Sequence, residues 1–202
     1  TSYGLPDLAF AVTDNMKHQI LDRGAVGTLS ELLDAAPRPP DSAATGMSGA
    51  TEPNLSGAYS QAWSLAEFVR SFYQSYLGVS ADAISGTLTL RPCLPSSIGH
   101  AEFTASVGPG TFAVGYEREP GNFTITISSP PKAQSLDVIV IPPVEFGAPL
   151  PEPAGGGIAP PDLLVRSVRT QLQPGASIRL HIGKAGVTRE DEHGKARLPE
   201  AD

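Results

Sequence analysis

The sequence predicts an α+β fold in which helices come first and an antiparallel β-sandwich follows. Three observations carry that reading. Apolar residues recur at helical spacing over Pro6 to about Arg23 and again from Ser60 to just before Gly78. From Thr87 to Ile182 they alternate at strand spacing. Turn residues, among them Gly108-Pro109-Gly110, Pro120-Gly121 and Pro130-Pro131, cut the alternating part into short lengths, as in a sandwich.

The first helix carries Leu5, Leu8, Ala9, Val12, Met16 and Ile20 on one stripe, with Pro6 suited to its first turn and Gly24 to the position past its end. Residues 35–58 run through Pro37, Pro39, Pro40, Gly46, Gly49, Pro53 and Gly57, and this predicts a long irregular loop. The second helix presents Ala62, Leu65, Ala66, Val69, Phe72, Tyr73 and Tyr76 on one face. Strands are expected at Thr87–Arg91, Ala101–Val107, Thr111–Glu117, Asn122–Ser128, Leu136–Ile141 and Ser177–Ile182. Val144 to Pro161 reads as a Pro/Gly-rich excursion before a further strand at Leu163–Val168. From Lys184 the tail is charged and almost without apolar residues, so disorder is expected over 184–202. The resulting division is helices at 1–78, a β-sandwich at 79–183 and a tail at 184–202. The stripe Leu8, Val12, Met16, Ile20 and the face Leu65, Val69, Phe72, Tyr76 exceed what two helices can bury against each other. A companion segment, a second chain or a self-associated dimer is expected to cover them.

Composition excludes several classes. With 14 Lys and Arg against 21 Asp and Glu, the net charge is −7, which is unsuited to electrostatic nucleic-acid binding. No apolar run approaches the roughly 20 residues that span a bilayer. Cys93 is the one cysteine, so no internal disulfide forms and no oxidising compartment is implied, which points to the cytoplasm. His18, His100, His181 and His193 are too scattered to suggest a metal site, and no phosphate-binding glycine loop is present. No cofactor is expected.

The residues that point to chemistry lie in two phrases, Gly27-Thr28-Leu29-Ser30-Glu31-Leu32 and Ser60-Gln61-Ala62-Trp63-Ser64-Leu65-Ala66-Glu67. A carboxylate to handle water, with an indole and an amide to hold a sugar ring, is the equipment of a carbohydrate-cleaving site. Each residue also has a structural reading. Thr28-x-x-Glu31 is a capping box in which Glu31 reaches back to the Thr28 amide. A tryptophan near the start of an amphipathic helix packs in the core. Asp34 is a helix or turn residue, and Cys93 is structural rather than nucleophilic.

In their order, an SEL-type segment followed by SQAWS, the phrases resemble the C-terminal end of the glycogen debranching enzymes, in their amylo-α-1,6-glucosidase domain. The resemblance is most specific over Gly27–Arg70. It implies that Glu31 matches the family's catalytic base and that Gln61 and Trp63 lie in or beside the substrate pocket, with Tyr59 as a neighbour. It implies an (α/α)6 barrel of which residues 1–78 are the terminal helices, and a general-acid aspartate on an earlier barrel loop that nothing here matches. The reaction it implies is inverting hydrolysis of α-1,6-glucosidic branch points in a branched α-glucan or oligosaccharide. The chain would then be a C-terminal segment, inactive without the rest of the barrel or a companion chain. The stretch from Gly86 to Pro95 is similar to the opening of the small β-domain after helical barrels in several glycosidases, the α-L-rhamnosidases included. The long 35–58 segment departs from the compact loop of the family. A second expectation is a non-catalytic carbohydrate-binding or structural β-sandwich with Glu31 as a helix cap. A third is the end of an α-L-rhamnosidase-like barrel.

Overall fold

Alternating side chains build the core of this protein. In the computed structural model, which describes residues 5–22, 27, 60–146 and 167–201, strands β1 (Val79–Asp82), β2 (Thr87–Leu90), β3 (His100–Val107), β4 (Gly110–Glu119), β5 (Asn122–Ser128) and β6 (Leu136–Val140) follow in order. They are joined by β7 (Ser167–Leu172), β8 (Ser177–Gly183), β9 (Gly186–Asp191), β10 (Gly194–Arg197) and β11 (Glu200–Ala201). Two sheets result, one of order β1-β2-β6-β7-β11 and one of order β10-β9-β8-β5-β4-β3. On β4, Phe112, Val114 and Tyr116 are buried while Thr111, Ala113 and Glu117 are exposed. The register carries this division across the sheet. Val114 lies opposite Ile127, which lies opposite Ile178, and Tyr116 opposite Ile125, which lies opposite Leu180. The other sheet contributes Leu88, Leu90, Leu136, Val138, Val140 and Leu172, all fully buried. Burying each such side chain stabilises the fold by about 1.5–3 kcal/mol against exposure.

Polar links tie this core to its surroundings. The Arg189 guanidinium, on the inner face of β9, donates to the Thr170 hydroxyl of the opposite sheet at 2.8 Å and pairs with Asp191 at 2.8 Å. The buried Tyr116 hydroxyl donates to the Leu77 carbonyl at 2.7 Å, and burial pushes its pKa far up. Phe103 packs edge-on against the Tyr116 ring at 5.0 Å. Asp7 accepts from the Ser96 amide at 2.6 Å and the Ser96 hydroxyl at 2.9 Å, and these bonds hold its carboxyl below the usual range.

Helix α1 spans Pro6–Asp22 and α2 spans Ala62–Ser71, followed by a π-helical turn over Phe72–Tyr76. In that turn the Leu77 amide donates to the Phe72 carbonyl at 2.9 Å. Gly78 then takes a left-handed φ of 66°. A Cβ there would sit 1.8 Å from the Arg91 carbonyl oxygen, so only glycine fits. The chain divides into two units, Thr1–Asp7 with Phe72–Asp202, and Leu8–Ser71.

The expected fold class needs correction. The structure is mostly β, 45% strand, with two short helices and no helical barrel among the described residues, so an α+β chain opening with the terminal helices of an (α/α)6 barrel is not what forms. The sheets are not wholly antiparallel either. β2 and β6 run parallel, with Leu88 opposite Val138, because β3, β4 and β5 of the other sheet form the crossover between them. The charged tail expected to be disordered instead forms β9, β10 and β11. At a sheet edge, backbone pairing to one neighbour holds a strand without an apolar face, so its four exposed residues leave β10 a strand. The division into units falls at Phe72 rather than after residue 78. Much of the helical stripe stays uncovered: Leu8 is 64% exposed, Val12 57% and Val69 53%, whereas Ile20 and Tyr76 are buried.

Candidate functional site

The start of α2 carries two of the expected residues. The Leu65 amide donates to the Gln61 carbonyl at 3.3 Å, so Gln61 is the capping residue and Trp63 lies in the first turn. The Gln61 side chain is half-buried, with its Oε1 3.5 Å from the Ser64 hydroxyl, a contact at the limit of a hydrogen bond. Trp63 is 61% exposed, which corrects the expectation that its indole packs in the core. The reason is the roll of the helix. Its inward face consists of Ser64, Leu65, Phe68, Phe72 and Tyr76, while Ala62, Ala66, Val69 and Tyr73 face out. An Arg70–Glu67 ion pair on the exposed side holds the Glu67 carboxyl below the usual range. The exposed indole offers an apolar plate, and the Gln61 amide, two residues away in sequence, offers a group that both donates and accepts hydrogen bonds.

Glu31 and Tyr59 lie outside the described residues, as do Asp34, the 35–58 segment, most of the 144–161 excursion and the greater part of the strand expected at 163–168. Cys93 is half-buried and forms no disulfide, and burial pushes its thiol up, away from the thiolate that a nucleophile needs. Among the described residues no group of three or more His, Cys, Asp or Glu side chains is placed to hold a metal ion. No helix among them is long and apolar enough to cross a membrane.

A second feature is absent from the sequence reading. The outer face of the six-stranded sheet carries a trough of about 570 Å³, with Ala113 and Gly115 on its floor and Glu102, Thr126 and Ser128 beside them. Cross-strand register assembles it: Glu102 lies opposite Gly115 and Gly115 opposite Thr126, while Thr104 lies opposite Ala113 and Ala113 opposite Ser128. Farther along this face, His181 Nε2 bonds Glu190 at 2.9 Å, and that bond holds the Glu190 carboxyl below its ordinary value. The one signal available in the sequence was a glycine in mid-strand. Comparison with family models, curated proteins and solved structures finds no match to this chain.

Proposed function

We propose that this chain is a segment of a glycoside hydrolase that cleaves α-1,6-glucosidic branch points of glycogen-type glucans with inversion, working in the cytoplasm. The observation that carries the reading is the indole of Trp63, 61% exposed in the first turn of α2, two residues after the capping Gln61. An indole 61% exposed is open to the apolar face of a sugar ring. In the proposed reaction Glu31 removes a proton from water as the oxygen attacks the anomeric carbon. A general acid from polypeptide outside these 202 residues protonates the departing oxygen. Inversion requires the two carboxyl groups roughly 6.5–9.5 Å apart, with the water between them. Trp63 and Gln61 hold the glucose unit at the branch, and Tyr59 borders them. The uncovered apolar residues Leu8, Val12 and Val69 provide the surface on which the companion polypeptide docks.

The test is Glu31→Gln in the assembly that contains the general acid, with glucose release from a branched dextrin as readout. Loss of the base lowers turnover by about two orders of magnitude or more and spares substrate binding. If Glu31 only caps a helix, the variant instead loses about 1 kcal/mol of stability and keeps its turnover. The 202-residue chain alone is expected to release no glucose, and measurable release from it refutes the proposal.

A further inference from the structure

The mid-strand glycine of the outer trough has no folding explanation. Gly115 sits within β4, between β3 and β5, where a glycine weakens a strand through lost side-chain packing and a larger entropy loss. Its backbone is not left-handed, unlike Gly78 or Gly121. A Cβ placed on it meets only the Thr126 Cβ, at 3.9 Å, an ordinary contact. Neither conformation nor crowding therefore requires glycine at this position. The pairing to β3 and β5 runs unbroken through Gly115, so no bulge accounts for it either, and close approach of something from outside to the strand backbone is a further circumstance in which strands carry glycine.

The lining tells what kind of molecule approaches. The volume, about 570 Å³, lies within the range of small-molecule sites. Thr104, Thr126 and Ser128 offer hydroxyls that donate and accept, while Glu102 and Glu117 offer carboxylates that accept from hydroxyl pairs. No lysine or arginine is among the described residues that line it, and its one basic side chain, His100, lies 3.6 Å from the Glu102 carboxylate, so the lining favours a neutral ligand over a phosphate or carboxylate. The floor at Ala113 and Gly115 is a narrow apolar strip of one methyl and one bare backbone, flat enough for the C–H face of a pyranose ring.

We propose that this trough is a non-catalytic binding site for a neutral glucan strand. It stands apart in sequence from Glu31, Gln61 and Trp63, and its sugar rings rest on Gly115. The choice of glucan among polyhydroxylated ligands rests on the hydrolase reading above, whereas the trough and its glycine do not.

The experiment is titration of the full chain with maltoheptaose by calorimetry, together with its retardation in gels containing glycogen. Gly115→Gln fills the trough and is expected to weaken binding tenfold or more. Gly115→Ala, whose Cβ has room, folds as the wild type does and weakens binding severalfold. Both variants keep or raise the melting temperature, and Ile84→Ser, at a fully exposed position between β1 and β2, changes this binding less than twofold. Wild-type affinity in the two Gly115 variants overturns the proposal, and so does a wild-type chain that binds neither glucan. Tight binding of tetralysine that the Gly115 variants abolish also overturns it, because the two carboxylates would then be serving a cation. Binding lost in Trp63→Ala but kept in Gly115→Gln refutes the trough and leaves the hydrolase reading standing. Turnover indifferent to Glu31, with binding still dependent on Gly115, does the reverse.

Discussion

The Tyr116 hydroxyl offers the sharpest check on how the strands hold the end of the preceding helical turn. Tyr116 is fully buried, and its hydroxyl donates at 2.7 Å to the carbonyl of Leu77, the residue between the π-helical turn and Gly78. Tyr116→Phe keeps the ring and removes only this bond. The net worth of such a bond is about 1 kcal/mol, and a buried acceptor left without its donor adds to the loss, so about 1–2 kcal/mol is expected. Tyr116→Ala also removes a ring packed at 5.0 Å against Phe103 and 5.6 Å against Phe123. The cavity and the two lost ring pairs raise the cost to about 4–6 kcal/mol. For a unit of this size that corresponds to roughly 3–5 °C in melting temperature per kcal/mol. The assay is urea unfolding followed by far-UV circular dichroism. Fluorescence would report the wrong region, because the one tryptophan, Trp63, belongs to the other unit. A Tyr116→Phe variant within about 0.3 kcal/mol of the wild type would sink the argument. So would one as damaged as Tyr116→Ala.

Two further predictions use the backbone and the carboxylates. Gly78→Ala drives a Cβ to 1.8 Å from the Arg91 carbonyl oxygen, and a loss of at least about 3 kcal/mol is expected by urea midpoint. Gly121→Ala shares the left-handed backbone, at φ 78°, but meets nothing within 4 Å, so about 1–2 kcal/mol is expected, and equal losses at the two sites would refute the steric account. For Glu190, the bond from His181 holds the folded-state pKa below the unfolded value, with Lys195 and Arg179 adding to the effect. Its stabilisation is therefore present above roughly pH 4 and is lost as pH falls through the depressed folded value. Glu190→Gln should melt lower than the wild type at pH 7, and the difference should vanish on acidification. A difference that persists in acid would assign the effect to packing instead.

Much of the β architecture was legible from residue order because strand faces are a local property. A period of two decides which side chains share a face, and the alternation from Thr111 to Glu117 already separates Phe112, Val114 and Tyr116 from Ala113, Gly115 and Glu117. Turn glycines such as Gly121 were equally readable, since the backbone needs them whatever lies nearby. Which strands become neighbours is only partly local. Whereas β3–β4–β5 and β8–β9–β10 are consecutive hairpins that short turns bring together, the parallel pairing of β2 with β6 and the pairings of β5 with β8 and of β7 with β11 depend on register between distant segments. The roll of α2 belongs to the same class. Its sequence is apolar on more than one side, so periodicity alone could not choose between burying Val69 and Tyr73 or burying Ser64 and Phe68. In the structure the second set is the less exposed, and Trp63 stands 61% exposed.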